Sequence, residues 1–231
     1  MSRKRRTLAS RLRWIVFWTL GTVLMAPVAL ALLFREVPPP FTPLMVIRMF
    51  EGEGIKKDWV PLSEISPNVV NAVIALEDNN FCAHSGVDWG QLFEAVSDYY
   101  KGERLRGAST ISMQTAKNLY LWPGRDYVRK VAEAPLTILL EALWDKQRIL
   151  EVYLNIAEWG PGIYGIEAAA RANFHKPASL LNRREAALLA AVLPNPRKWS
   201  PSRPTAYIQS RVRATRDRMT YLGPLLTCTR A

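Results

Sequence analysis

The hydrophobic and polar positions divide the chain into one long apolar run near the N-terminus and a succession of shorter amphipathic segments. Residues 14–34 contain no charged residue over 21 positions, which as an α-helix would extend roughly 31 Å, close to the hydrocarbon thickness of a bilayer. A charge at the centre of such a helix costs about 2.5–3.5 kcal/mol, so its absence predicts a membrane-spanning helix. A cleaved signal peptide is the alternative. Residues 29–31 read Ala-Leu-Ala, like a small-residue cleavage site, although signal cores are usually only about 7–15 residues long.

Most of the remaining sequence has the spacing of helices. A proline-rich segment, residues 35–43, follows the apolar run and is expected to be a semi-rigid spacer. Ser66 and Pro67 then have the positions of an N-cap and a first-turn proline at the start of an apolar-faced helix. A long helical stretch is predicted over residues 128–159, and Pro135 is expected to kink or break it. No trustworthy alternating strand pattern and no repeat occur, so the body is predicted to be mostly α.

The net charge of +11 is concentrated at the two ends of the chain. Residues 1–13 contain six basic and no acidic residues, residues 197–231 contain eight basic and one acidic, and residues 36–196 contain 16 basic and 19 acidic. This near-neutral middle argues against nucleic-acid binding, which requires a basic patch on the folded domain. The basic residues before the apolar run place the N-terminus in the cytoplasm and the body on the far side of the membrane.

Few side chains are available for other kinds of chemistry. His84 and His175 are the two histidines, and no HExxH, GxSxG or phosphate-loop motif occurs, so zinc, triad and nucleotide sites have no support. Cys82 and Cys228 form no disulfide framework; an oxidising compartment would permit one bond, but we expect two unpaired thiols. Carboxylates remain as the candidate reactive groups.

Two carboxylates have unusual neighbours. Glu77 borders the apolar face of its helix, where burial would raise its pKa and make it a proton carrier near neutral pH. A solvated glutamate at a helix end is the plainer interpretation of that segment alone. Glu133 shares a helix face with Arg129 and Lys130 at i,i+4 and i,i+3 spacing. Two cations flanking an acid form either a surface ion-pair cluster or a cradle for an anion such as a diphosphate.

Taken together, these segments resemble the peptidoglycan glycosyltransferases of glycosyltransferase family 51. The family motif EDxxFxxHxGxD is matched at every defined position by residues 77–88. GxSTIxQQxxKNL is matched by residues 107–119, except that Met113 replaces the first glutamine. RKxxE corresponds to residues 129–133, and KxxILExYLN corresponds to residues 146–155. Several motifs in the family's order are far more specific than any one of them.

The resemblance covers about residues 43–205 and implies a mostly α, lysozyme-like fold, with a larger lobe and a membrane-proximal jaw on either side of a groove. No transpeptidase domain follows these motifs, which is typical of the monofunctional members. The expected order is a cytoplasmic basic tail, a transmembrane helix, a proline-rich linker, the glycosyltransferase domain and a basic C-terminal helix or tail. The corresponding residues are 1–13, 14–34, 35–43, 44–205 and 206–231.

The resemblance also implies a reaction between two lipid-linked sugars. The growing glycan on undecaprenyl diphosphate is the donor, and the 4-hydroxyl of the GlcNAc in lipid II is the acceptor. A β-1,4 bond forms with inversion as undecaprenyl diphosphate leaves. Glu77 is the expected base, and Glu133 is the second expected catalytic residue, which would orient cations, help to hold a divalent ion or assist leaving-group departure. The cations expected to neutralise the diphosphate are Lys117, Arg125, Arg129 and Lys130.

Other motif positions carry polar side chains with supporting roles. Three are expected to hydrogen-bond substrate or protein: Ser109, Gln114 and Asn118. Three are expected to brace the active-site turn, with direct substrate contact as the alternative: Asp78, His84 and Asp88. Asn155 is expected to be structural. Met113 has neither the donor nor the acceptor of glutamine, so a gain in activity for Met113→Gln would identify a substrate contact, and no change a packing position.

The resemblance leaves open a divalent cation, Mg²⁺ or Mn²⁺, and implies no organic cofactor and no dedicated metal ligands. Expected partners are lipid II, the nascent glycan strand, the membrane and cell-wall synthesis or division proteins, but no nucleic acid. The expected location is the inner (cytoplasmic) membrane, with one span and a periplasmic catalytic domain. Two alternatives remain: a membrane-anchored glycan-cleaving lysozyme or lytic transglycosylase, and a non-catalytic scaffold for wall synthesis.

Overall fold

A computed structural model describes residues 8–102, 109–124, 126–222 and 226–229. Within these residues the chain forms ten α-helices and one small sheet, which confirms the mostly α fold predicted from the sequence. The helices are α1 Leu8–Glu36, α2 Pro43–Phe50, α3 Pro67–Glu77, α4 Trp89–Tyr100, α5 Ile111–Tyr120, α6 Tyr127–Leu143, α7 Lys146–Ile156, α8 Ile166–Phe174, α9 Arg183–Val192 and α10 Ala206–Tyr221. The strands are β1 Lys56–Lys57, β2 Glu158–Gly160 and β3 Ile163–Tyr164.

Helix α1 is, among the described helices, the one long and apolar enough to cross a membrane, judged by length and composition. Most of its large apolar side chains are exposed. Side chains of the body, including those of Trp144 and Arg148, bond to its C-terminal part. The indole N–H of Trp144 donates to the carbonyl of Ala31 at 2.7 Å, and the guanidinium of Arg148 donates to the carbonyl of Phe34 at 2.7 Å. The apolar helix is therefore attached directly to the folded body.

Helix α3 crosses the core and ends at the candidate base. As predicted, Pro67 is in its first turn and Ser66 caps it, with the Ser66 hydroxyl oxygen accepting from the backbone N–H of Asn68 at 3.3 Å. The helix packs against α9 and α10, and its Val73 and Ile74 side chains are fully buried. This burial positions the last residue of α3 at the edge of the core.

The long helical stretch predicted over residues 128–159 is two helices, α6 and α7, and the break is not at Pro135. Helix α6 continues through Pro135, because the carbonyl that this proline leaves unpaired belongs to the exposed Val131. The two helices separate where Asp145 caps α7, its carboxylate accepting from the backbone N–H of Arg148 at 2.7 Å. Of the two outcomes expected at Pro135, the break is therefore wrong, and the kink stays a prediction.

The small sheet was not predicted from the sequence. β3 lies in its middle, parallel to β1 and antiparallel to β2. Strands of two or three residues are too short to show the alternation of apolar and polar residues that predicts a strand. The turn between β2 and β3 requires glycine at Gly162, where φ is +68° and a Cβ would lie 2.3 Å from the Gly54 carbonyl oxygen.

The expectation of two unpaired thiols is wrong, because Cys82 and Cys228 form a disulfide with their Cα atoms 5.5 Å apart. They are 146 positions apart in the sequence. They meet because α10 packs along α3 and the segment after it, Thr227–Thr229, packs against α7. That placement depends on tertiary packing, which cysteine spacing does not reveal.

Candidate active site

Glu77, the last residue of α3, is half-buried beside α5. Its Oε2 accepts a hydrogen bond from Nε2 of Gln114 at 2.8 Å. Burial raises the pKa of Glu77, while the Gln114 hydrogen bond and the charges of Arg211 and Lys117 act in the opposite direction. A carboxyl group with a raised pKa can take up a proton near neutral pH and release it again.

The turn after Glu77 is held by a buried carboxylate. Asp78 accepts from the backbone N–H of Ile111 at 2.9 Å and from Nε2 of His84 at 2.9 Å. The other ring nitrogen of His84, Nδ1, accepts from the backbone N–H of Gly86 at 3.1 Å. This arrangement assigns the ring proton to Nε2. The turn is thereby fastened to the start of α5.

The end of the same turn is fastened to α4 and α6. Asp88 accepts from Asn80 at 2.8 Å and from the backbone N–H of Gln91 at 2.9 Å. Burial would raise the pKa of Asp88, but these hydrogen bonds outweigh it and lower the pKa. Gly86, with φ of +96°, packs so closely on α6 that a Cβ would lie 2.9 Å from the Thr137 methyl carbon. Substitution there would move the turn.

Arg129, Lys130 and Glu133 form a cluster on α6. Arg129 donates to Oε1 of Glu133, and Lys130 donates to Oε2 at 2.8 Å. Glu133 is only 2% exposed and Arg129 is 7% exposed, so the surface ion-pair interpretation does not apply. A buried carboxylate is tolerated here because both of its oxygens are paired. Lys130 also donates to Oγ of Ser109 at 3.2 Å, which joins the residues before α5 to the cluster.

A cavity of about 350 Å³ opens beside this cluster. Its polar lining includes Gln114, Lys117, Asn118, Arg129 and Tyr153. Burial and the charge of Arg129 lower the pKa of Lys117, and Glu77 acts in the opposite direction. The Nε of Arg129 is buried and has no hydrogen-bond partner among the described residues. An unpaired cationic donor on a residue of the cavity wall can bind an anion.

A second cavity, of about 390 Å³, is lined by Glu77 itself. Its other charged lining residues are Asp78, Glu94, Asp98 and Arg218. Because Gln114 lines the first cavity and Glu77 the second, their hydrogen bond bridges the two. A proton acceptor in one cavity beside cations in the next suits a reaction in which one reactant loses a proton and the other loses an anion.

The chain matches a family of known proteins over most of its length. The family model described as transglycosylase matches residues 45–220. The chain belongs to the transglycosylase family. Relatives named biosynthetic peptidoglycan transglycosylase include one from Rhodospirillum centenum, 60% identical over 194 residues, which are 83% of this chain and 84% of the relative. One from Pseudomonas fluorescens is 53% identical over 205 residues (86% and 85%), and one from Rhizobium meliloti is 44% identical over 224 residues (97% and 95%).

Membership of the transglycosylase family confirms the resemblance drawn from the sequence motifs, and it makes the chain an enzyme. The matched range extends beyond the expected domain end at residue 205 and includes most of α10. Helix α10 buries Ile208, Val212 and Met219 and packs against α3 and α9. It is therefore packed as part of the transglycosylase body.

Most of the residues expected in the transglycosylase site come together around the two cavities. They are Glu77, Ser109, Gln114, Lys117, Asn118, Arg129, Lys130 and Glu133. Arg125 lies outside the described residues. Asn155 is fully buried, and its side chain bonds to the backbone of Val60 at 2.8 and 3.0 Å. Met113 is buried on α5.

Two residues close to Glu77 were not singled out from the sequence. Tyr153 lines the first cavity, and its hydroxyl donates to Oε1 of Gln114 at 3.2 Å. Arg211, on α10, lowers the pKa of Glu77 by its charge and lies over the ring of Trp199, 5.9 Å from its centroid. Tyr153 falls within the family motif KxxILExYLN, so a signal existed. For Arg211 there was none, because α10 reaches the site only through tertiary packing.

The donor set does not fit a resident metal ion. Within the described residues, no group of three or more His, Cys, Asp or Glu side chains could hold one. Glu133, the carboxylate within the cation cluster, has both oxygens bonded to Arg129 and Lys130. A divalent ion bound by protein side chains alone would have to displace these cations.

Proposed function

We propose that the chain is an inverting glycosyltransferase that polymerises lipid II into β-1,4-linked peptidoglycan strands and releases undecaprenyl diphosphate. The observation that carries the proposal is a half-buried Glu77 with a raised pKa beside a cavity lined by Lys117 and Arg129. The motifs and the names of the relatives supply the substrate class.

Glu77 is the proposed general base. A sugar hydroxyl is a poor nucleophile, so its proton must be removed as it attacks the anomeric carbon. With Oε2 held by Gln114, Oε1 is the oxygen proposed to take that proton. The cavity that Glu77 lines would then receive the acceptor GlcNAc.

The cation cluster is proposed to neutralise the departing diphosphate. Lys117 and Arg129 line the first cavity. Lys130 is joined to Arg129 through Glu133 and also donates to Ser109. Desolvated cations stabilise developing negative charge more strongly than solvated ones do. Both Glu133 oxygens are bonded to cations. The geometry therefore supports a role in orienting those cations over holding a divalent ion or assisting departure of the leaving group. Arg125 remains a prediction from the motif.

A single displacement accounts for the expected stereochemistry. Attack opposite an α-linked diphosphate gives a β-linked product without a covalent intermediate, and the base and the leaving group then act on opposite faces of the sugar. Glu77 lines the second cavity, whereas Lys117 and Arg129 line the first. Gln114, which also lines the first cavity, is bonded to Glu77, and this supports the arrangement. Both oxygens of Glu133 accept hydrogen bonds from Arg129 and Lys130, so we do not propose Glu133 as a nucleophile.

The apolar surface supports a reaction at the membrane. Helix α6 contacts α1, and its exposed face carries Val128, Val131 and Ile138, while Arg129 and Glu133 are buried. An apolar face beside a spanning helix favours contact with lipid. We therefore propose a single-pass inner-membrane protein with a cytoplasmic N-terminus and a periplasmic catalytic domain. Tethering confines enzyme and lipid-linked substrates to one surface, which raises their effective concentration.

The length of the product tests the proposed reaction. The full-length chain, in detergent, would be incubated with lipid II and, separately, with preformed glycan. We expect lipid II to be converted into longer strands and preformed glycan to stay intact. Shortened glycan would instead identify a cleaving enzyme, and no change in either substrate would identify a scaffold. A parallel reaction with a chelator, then restored with Mg²⁺ or Mn²⁺, measures whether a divalent ion enters with the diphosphate.

A further inference from the structure

A hydrogen-bonded chain of three side chains leads from α7 to the proposed base. The hydroxyl of Tyr153 donates to Oε1 of Gln114 at 3.2 Å, and Nε2 of Gln114 donates to Oε2 of Glu77 at 2.8 Å. Tyr153 is only 1% exposed. The three residues come from α7, α5 and α3, so the hydrogen-bonded chain joins three helices. Tyr153 and Gln114 line the first cavity, and Glu77 lines the second.

The orientation of the Gln114 amide decides whether it stabilises or repels a carboxylate. An amide has a donor end and an acceptor end of nearly equal size, and rotation by half a turn exchanges them. The NH₂ end stabilises the ionised form of Glu77, whereas the carbonyl oxygen would repel it. Burial, with Glu77 and Asp78 nearby, raises the pKa of Tyr153 well above its ordinary value. Its hydroxyl therefore stays protonated and donates to the amide oxygen.

We propose that Tyr153 is a positioning residue, which holds the Gln114 amide with its NH₂ end toward Glu77 and so keeps the Glu77 carboxylate oriented as the base. The inference rests on the proposed role of Glu77 and adds a residue that does not itself touch the reacting atoms. Tyrosine suits this position because its rigid ring is packed in the core while its hydroxyl reaches a polar partner.

Other charged groups also face Glu77, but the Tyr153→Phe substitution leaves them all in place. They are Asp78 beside it, Glu94 and Asp98 on α4, Lys117 on α5, and Arg211 and Arg218 on α10. Phenylalanine keeps the packed ring of residue 153 and removes only the hydroxyl. Any shift of the Glu77 titration in this variant therefore reports the lost constraint on the Gln114 amide.

The pH dependence of kcat for lipid II polymerisation tests the inference. In Tyr153→Phe the amide is free to rotate, the pKa of Glu77 rises further, and the acid limb should move upward by about one pH unit. At a pH on that limb, the rate should fall about tenfold, while the high-pH plateau is retained. Tyr164→Phe is the matched control, because Tyr164 is also buried and its hydroxyl has no hydrogen-bond partner among the described residues. Its acid limb should stay in place.

A double-substitution cycle separates positioning from packing. Gln114→Leu should shift the acid limb in the same direction, and adding Tyr153→Phe to it should cause no further shift. An unmoved acid limb in Tyr153→Phe, a shift that persists in the Gln114→Leu background, or a variant that no longer unfolds cooperatively would each overturn the inference. Full activity of Glu77→Gln would instead overturn the proposed base, so the two failures are distinguishable.

Discussion

At the scale of single residues, burial decides which charged groups are adapted to chemistry. It raises the pKa of Glu77 and lowers the pKa values of Lys117 and Lys130, so the base and the cations are shifted toward neutral pH from opposite sides. The pKa values of an exposed glutamate and of exposed lysines would stay far apart. In the proposed reaction, these shifts would suit both groups to a proton transfer beside a leaving anion.

The pH profile of polymerisation should show both shifts. The rate should rise as Glu77 loses its proton, with an acid limb above the ordinary glutamate pKa of about 4.3. It should fall as Lys117 and Lys130 become neutral, with an alkaline limb below the ordinary lysine pKa of about 10.4. Steady-state rates across this range, with stability checked at each pH, give both limbs. An acid limb at the ordinary glutamate value would contradict the assigned environment of Glu77.

Met113, where the family pattern has glutamine, is 8% exposed. Its neighbour Gln114 lines the cavity. We expect Met113→Gln to give no gain in polymerisation and to lower the free energy of unfolding by about 1–3 kcal/mol, because an amide would be buried without a partner. Met113→Leu, which conserves volume, should cost less than about 1.5 kcal/mol. Denaturant unfolding and turnover measure both effects, and increased turnover of Met113→Gln would contradict a packing role.

At the scale of elements, the sequence reveals what lies within one helix or turn. Arg129, Lys130 and Glu133 are three or four positions apart, so their cluster follows from helical spacing alone. Contacts between helices have no such local pattern. The hydrogen bond from Tyr153 to Gln114 depends on how α7 packs on α5. The strands of two or three residues were missed, and a break at Pro135 was wrongly allowed, because tertiary contacts and solvent exposure outweigh local preference.

The disulfide joins the turn after α3 to the C-terminal segment, and we expect it to stabilise the body. Cys82→Ser together with Cys228→Ser should lower the free energy of unfolding by about 2–5 kcal/mol, because the unfolded chain loses a constraint over a long loop. Denaturant unfolding with and without reductant measures the change. Reductant should destabilise the native chain and leave the double-serine variant unaffected. Equal stability of the oxidised chain and this variant would contradict the stabilising role.

At the scale of the whole molecule, the apolar helix α1, the core and the candidate site are continuous. The packing of α3 beside α5 brings Glu77 and Gln114 together. Helix α6 carries the buried Arg129 on one face and an exposed apolar surface on the other. Side chains of Trp144 and Arg148 bond to backbone carbonyls of α1. This continuity supports the proposed reaction of lipid-linked sugars at the membrane surface.

The rate at which Glu77→Gln polymerises lipid II tests the central claim most directly. Glutamine keeps the size and polarity of the side chain but cannot take the acceptor's proton, so the rate should fall by about 10²–10⁴-fold. The unfolding transition should remain cooperative. Glu64→Gln, at an exposed position in a short 3₁₀ turn, is the matched control and should retain the wild-type rate. Wild-type polymerisation by Glu77→Gln would contradict the assignment of Glu77 as the base.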